Sequence, residues 1–515
     1  MQEVVASTPA GVADSPAEGR HIRGRVSLLH VGTWLVPALV ALVIGRWGLN
    51  RVGIDRDESA TIDISSRSLR DIWRMTGNAD AVHGLYYALM HFWTRVFGDS
   101  TAAIRTPSLI GAAIAAALVA VLGTRLASRT VGFIAGLLFA TAPQISLYAH
   151  DGRSYGIDAV LVICLTLVLH AALRSPRRRI WIGYAALAVL MVVMHLFTLL
   201  ALTAHAVTAA WYARHERRRA PLVRFLVAAV AAVIVVSPFL VRAIRQGGTA
   251  SWISPVTWGS VSNFMTSVAG GWISLAIAGV LLVVAVVRRS PVVPYTLPLL
   301  AIPPALILVY SVHQPLYVFR YILYTVPALM LLVASGAVEL AGLVRRSLAR
   351  QGAGPRAVRL GPVVAAVLVA GLIAAAIPMQ QAVRASDRGA TDLRGQAAWL
   401  TKHKQPGDAL VFLTPSQREY KASYPTAYRG LYDVGEGRTP AQAANFAGTE
   451  VSDDVLVARL RSVERAFTIE YWVPKANRPA NRKLEAHRDA LMVLAGLHWA
   501  GSAKFRGGYI QIYER

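Results

Sequence analysis

Apolar stretches of about 15 to 24 residues recur through the first 380 or so positions, and no soluble core could shelter so many of them. Eleven can be placed, at 26–45, 106–124, 130–148, 157–173, 180–194, 196–212, 225–241, 264–287, 292–312, 322–343 and 360–377. In hydrocarbon, backbone N–H and C=O groups must be satisfied within their own segment, so the runs are expected to be helices. The spacing predicts an α-helical integral membrane protein of about eleven transmembrane helices. Residues 1–25 read as a disordered cytoplasmic N-terminus, rich in Ala, Ser, Pro and Gly, followed by an uncleaved first helix without an A-x-A exit. Residues 26–379 then form the membrane body. From about residue 380 the composition turns mixed and polar, enough for one small domain at 380–515. Strand patterns at 408–413, 466–472 and 509–513, with helical periods at 451–463 and 482–497, predict an α/β fold there, without a Gly-rich phosphate loop.

Sidedness follows from arginine. The formal charge is +25, but the basic residues gather at Arg20/Arg23/Arg25, Arg125/Arg129, Arg174/Arg177/Arg178/Arg179, Arg214/Arg217/Arg218/Arg219, Arg288/Arg289 and Arg345/Arg346/Arg350, in every second connection. Positive segments stay in the cytoplasm, which accounts for the charge without nucleic acid as a partner. The parity closes if the shorter amphipathic run 83–97 lies in the outer interface instead of crossing. The C-terminal domain is then extracytoplasmic. The single cysteine, Cys164, lies in an apolar run, which excludes an internal disulfide and thiolate clusters.

With this topology the polar segments that the charge rule leaves over all face outward: Asp55 to Asp63, Ala79 to His83, His150 to Tyr155, His195, Ser311 to Pro315 and Phe319 to Tyr321. Singly, each is weak evidence: the carboxylates could solvate a loop, His195 could be a satisfied helix-end histidine, and Asp151 with Arg153 an intra-loop ion pair, whereas Arg320 beside Tyr321 reads as a headgroup or phosphate contact. Together they make a composite site. The acidic pair Asp57 and Glu58 beside the first span points to chemistry at a membrane surface, where carboxylates are costly.

These residues resemble the bacterial relatives of the protein O-mannosyltransferases and of the lipid A aminoarabinose transferase, the C-type, multi-membrane-spanning glycosyltransferases. The resemblance rests on order: Asp57-Glu58 after the first helix, His83-Gly84-Leu85-Tyr86-Tyr87 leading to Ile104-Arg105-Thr106-Pro107, then Tyr148 to Tyr155, Met194-His195-Leu196-Phe197, and Arg320-Tyr321 before Pro327-Ala328. It is nearest to the actinobacterial mannosyltransferases, a bacterial plasma-membrane group. It implies transfer of a sugar, mannose by family weight, from a polyprenyl-phosphate donor to a glycan, lipid or protein hydroxyl by inverting displacement.

The resemblance favours Asp57 as the catalytic base, with Glu58 orienting a sugar hydroxyl or raising its neighbour's proton affinity. It implies Arg320, Tyr321, Arg153 and Arg105 at the donor phosphate and lipid, since a guanidinium fork matches phosphate oxygens. His83, Tyr86, Tyr87, Asp151, Tyr155 and His195 are expected to line the substrate. No cofactor is required, though Asp57, Glu58 and His83 are the residues that would take a divalent metal if one binds. The rival reading is a transporter or flippase of lipid-linked sugars, against which stands the absence of internal sequence repeats.

Overall fold

The computed structural model describes residues 28–250, 253–352, 354, 360–385, 391–471 and 478–515. The expected disordered N-terminus, with Arg20, Arg23 and Arg25, lies outside the described residues, as does Trp472 at the end of an expected strand.

Helix α1 (Leu28–Arg46) leads through a segment of turns to α2 (Arg56–Ser66), α3 (Leu69–Asn78), a 3₁₀ turn at Ala81–His83 and α4 (Gly84–Phe97). Ala60 and Ile64 of α2, Ile72 and Met75 of α3 and Tyr87 of α4 share one buried cluster, so the three short helices form a cap ahead of the next long helix. α5 (Thr101–Leu126) starts at Ser100, whose hydroxyl accepts from Ala103 N at 3.3 Å. Pro107 lies one turn inside α5 and has no N–H to offer the Ala103 carbonyl. Trp93 of α4 supplies it, its indole Nε1 donating to Ala103 O at 2.8 Å.

α6 (Arg129–Thr141) and α7 (Pro143–Ala149) meet at a 59° bend. Pro143 forces Ala142 out of the helical region, to φ −65° and ψ 127°, and breaks the ladder. Gln380 Nε2 donates to the Thr141 carbonyl at 2.8 Å at the broken end. α8 (Tyr155–Leu173) crosses α5 so closely that a Cβ on Gly111 would lie 2.7 Å from the Gly156 carbonyl carbon. α9 (Arg178–Met194), a 3₁₀ turn at Leu196–Leu199 and α10 (Leu200–His215) follow, divided at His195, then α11 (Ala220–Arg245). α12 (Trp258–Ala269) and α13 (Trp272–Val287) bend by 79° at Gly270 and Gly271, with φ 88° and 134°. α14 (Val293–Ser311), α15 (Val326–Arg350), α16 (Leu360–Ala375) and α17 (Ile377–Ala382) complete the membrane body.

Seven helices among the described residues are long and apolar enough to cross a membrane, or nine if each bent pair is one span. The expected count of eleven is reached only if α1 and the 17-residue α9 also cross. The runs at 130–148 and 264–287, each expected as one span, fall in the two bent pairs.

The C-terminal domain carries β1 (Ala409–Phe412), β2 (Tyr432–Asp433), β3 (Arg465–Tyr471), β4 (His498–Phe505) and β5 (Gly508–Glu514) in the order β2-β1-β3-β5-β4. β1 is parallel to β2 and β3, while β5 is antiparallel to β3 and β4. Alternation divides its core between two faces. Ala409, Val411, Ala466 and Tyr513 join Leu456, Leu460 and Met492 on one side. Leu410, Phe412, Phe467, Ile469 and Ile510 join Leu393, Ala397 and Leu400 on the other. Burial on both faces gives β1 its continuous apolar run, and β2 and the exposed edge β4, which lack one, are the strands missing from the sequence reading.

The chain leaves the membrane body beside the end of α1. Arg384 donates to the carbonyls of Trp47 at 2.7 Å, Ile44 at 2.5 Å and Gln380 at 2.6 Å, satisfying orphan acceptors at two helix ends. The sheet domain therefore sits on the same side as α2.

Candidate active site

The site grows from the first turn of α2. Asp55 Oδ1 accepts from Glu58 N at 2.9 Å, and Glu58 Oε2 accepts from Asp55 N at 3.2 Å, a reciprocal capping box. This sets adjacent residues on different faces. Glu58 turns inward and takes both ends of the Arg105 fork, each at 2.6 Å, with Gly152 N donating at 3.1 Å. Arg105 gives its remaining donors to the carbonyls of Leu49, Val52 and Gly53. Both side chains are buried and engaged with each other, so neither the substrate role expected of Glu58 nor the phosphate role expected of Arg105 agrees with their placement.

Asp57 points the other way, into the gap between loop 150–154 and the turn ahead of α15. Its Oδ2 lies 3.1 Å from Arg320 Nη2 and its Oδ1 lies 3.5 Å from Arg153 Nη2. One third of its side chain is exposed, while Arg153 is 5% and Arg320 21% exposed. Three distant segments, first joined here, thus place one carboxylate against two guanidiniums. Burial raises the proton affinity of Asp57, but Arg153, Arg320 and Arg56 outweigh it and hold the carboxyl below its ordinary value. Its neighbours move oppositely: burial, with Glu58 and Asp57 close by, pushes Asp55 up to about 6. Asp151 is raised well above the carboxylate range by burial and by Asp55, Glu58 and Asp57.

Arg153 is positioned by Tyr87, whose hydroxyl accepts from Nη1 at 2.8 Å and itself donates to Asp80. His83 stacks on His195 with centroids 6.0 Å apart, and burial, Arg153, His195 and Arg320 keep its imidazole well below its usual value, hence neutral. His195 lies with Nδ1 3.0 Å from Asp158 Oδ2 and packs edge-on against Tyr155 and Tyr321. Tyr321 stacks on Phe197 at 4.4 Å. His83 Nδ1, Tyr86 Oη and Asp151 Oδ1 are buried polar atoms without a hydrogen-bond partner among the described residues. Such atoms are expensive to leave unpaired and suit the hydroxyls of a sugar.

No group of three or more His, Cys, Asp or Glu side chains suited to a metal is gathered among the described residues. Of the donors expected to bind one, Glu58 is already committed to Arg105 and Gly152.

The sheet domain also reaches the site, through residues far from α2 in sequence. Glu419 accepts from Arg56 Nε at 2.8 Å, Ser423 and Ser59 share a hydrogen bond at 2.6 Å, and Tyr424 Oη accepts from Ile54 N at 3.2 Å.

Residues 85–241 match a family described as dolichyl-phosphate-mannose-protein mannosyltransferase. A sequence comparison with curated proteins gives no match. Among solved structures the chain is similar to ArnT from Cupriavidus metallidurans in the apo state, with TM-score 0.59 and 14% identity over 94% of this chain and 98% of that one. The same protein bound to undecaprenyl phosphate aligns with TM-score 0.58 and 14% identity, covering 93% and 98% of the two chains. The archaeal oligosaccharyltransferase AglB from Archaeoglobus fulgidus, in complex with an inhibitory peptide and a dolichol-phosphate, aligns with TM-score 0.52 and 11% identity over 94% of this chain and 74% of that one.

Proposed function

We propose that this chain, which has the fold of the C-type glycosyltransferase superfamily, moves a sugar from a polyprenyl-phosphate donor to an acceptor hydroxyl at the extracytoplasmic face of the plasma membrane. The observation that carries this reading is the Asp57 carboxylate set between Arg320 and Arg153. Two guanidinium forks converge on one partly exposed carboxylate, and a phosphate is the anion whose oxygens such forks match.

The reaction follows from that arrangement. The acceptor oxygen attacks the anomeric carbon while the bond from that carbon to the phosphate oxygen breaks, inverting the centre. The electron pair leaves on polyprenyl phosphate, where Arg153 and Arg320 meet the growing negative charge. Asp57 takes the hydroxyl proton. While the arginines bind it, Asp57 has low proton affinity; a donor phosphate that draws them away raises that affinity, so the base is activated by its own co-substrate. His83, Tyr86 and Asp151 supply contacts for the sugar, and the stacked Phe197 and Tyr321 border the same space. Mannose is the sugar of the family matched at 85–241, and bound polyprenyl phosphates in ArnT and AglB support the donor class. The step needs no metal, and none is assigned. The arginine clusters support a cytoplasmic N-terminus, with the site and the sheet domain outside.

The test gives the purified protein, in lipid nanodiscs, a panel of synthetic polyprenyl-phosphate sugars with a cell-envelope fraction as acceptor. Wild type should release polyprenyl phosphate and label the acceptor with one sugar, and Asp57→Asn should lower turnover by about 100-fold or more. Undiminished transfer by Asp57→Asn removes the base assignment, and inactivity of wild type with every donor removes the function.

A further inference from the structure

The turn that carries Asp57 is gripped from outside the membrane body. Glu419 ends the 3₁₀ turn Pro415–Glu419, its side chain is 2% exposed, and it reaches Arg56, the residue directly before Asp57. With the Ser423 and Tyr424 contacts, one segment of the sheet domain touches residues 54, 56 and 59, on both sides of the base.

Stability alone does not explain Glu419. Arg56 is 61% exposed, so water would satisfy it without a partner. Burial pushes the Glu419 carboxyl from 4.5 up to about 7, against the pull of Arg56 and with Asp63 and Asp57 adding to the rise. The sign is unfavourable to a merely structural role. A carboxyl raised on folding binds its proton more tightly in the folded state, so its contribution to stability declines as pH climbs from 4.5 to about 7. The groups facing it are Arg56, Asp57 and Asp63 of α2 and its own neighbour Tyr420, whereas Arg418 and Lys421 turn away to Asp433.

We propose that Glu419 is a positioning residue for the transfer reaction, holding Arg56 away from Asp57 and fixing the first turn of α2, so that the sheet domain is part of the catalytic unit. The idea rests on Asp57 as the base. Arg56 is one of three guanidiniums that lower the proton affinity of Asp57; Glu419 is the anion that competes for it. Above neutrality the ionised Glu419 holds Arg56, and below it the grip is lost.

Full-length Glu419→Gln and Glu419→Asp in nanodiscs, assayed with the most active polyprenyl-phosphate sugar of the panel, test this. Glu419→Gln should lower kcat about tenfold with donor KM unchanged. It should also lack the rise of kcat with pH through about 7 that is expected of wild type, with thermal stability at pH 8 equal to wild type or higher. Glu419→Asp should recover part of kcat and keep the rise. Wild-type kcat and pH profile in Glu419→Gln overturn the proposal, as does an activity loss matched by lower thermal stability and not relieved by Asp. Loss of activity in Asp57→Asn beside an unaltered Glu419→Gln leaves the transferase reading standing and removes only this inference, while a wild type inactive with every donor removes both.

Discussion

Arg105 and Glu58 are each other's counter-ion in a buried setting, so removing either leaves a buried charge without an opposite one, which costs about 3 kcal/mol or more. Glu58→Gln and Arg105→Gln should therefore lower thermal stability in nanodiscs by about that much, measured by scanning fluorimetry. Asp57→Asn, with its side chain partly exposed, should melt near wild type while losing transfer. If Glu58→Gln instead melts normally with abolished activity, the division of labour between the two acids is reversed. That division was partly legible. The sequence shows an acidic pair beside a span, and it also shows Asp55 three residues before Glu58, the spacing of a capping box, which marks Glu58 as a helix-start residue. The pairing of Glu58 with Arg105 was not, because nothing local in 58 points to 105. Asp57 with Arg153 and Arg320 was expected on one membrane face, and the structure brings the three within ion-pair reach.

Between elements, glycine and proline decide where the arginines stand. Arg153 lies three residues before Gly156, whose missing Cβ lets α8 rest on the backbone of α5 at Ser108 and Ala112. Gly156→Val should force the helices apart, costing about 1 to 3 kcal/mol of stability and withdrawing Arg153 from Asp57. Thermal melts and donor turnover together check this; a variant with normal turnover would show that the crossing does not set the position of Arg153. The helices themselves were readable from apolar run length. The bends were not read, although Ala142-Pro143 and Gly270-Gly271 were in plain view, since a hydropathy window averages over a break. Their angles depend on tertiary partners such as Gln380, which only the folded chain supplies.

For the molecule as a whole, sidedness can be checked because one cysteine is easily removed. In a Cys164→Ala background, Ser462→Cys on the sheet domain should react with a membrane-impermeant maleimide on intact cells. Arg218→Cys, in a basic connection, should react only after permeabilisation. The reverse pattern would put the site in the cytoplasm. Arginine parity makes this orientation readable without any contact. The docking of the sheet domain on α2 was unreadable, since Glu419 and Arg56 are 363 residues apart and the polar segment around 419 looks like any surface loop.

The Arg384 anchorage makes the bundle a closed hoop, its last turn locked to the end of its first. A load on Arg384 therefore reaches the end of α1 through Ile44 and Trp47, and with it the turn segment that leads into α2, where Asp57 sits.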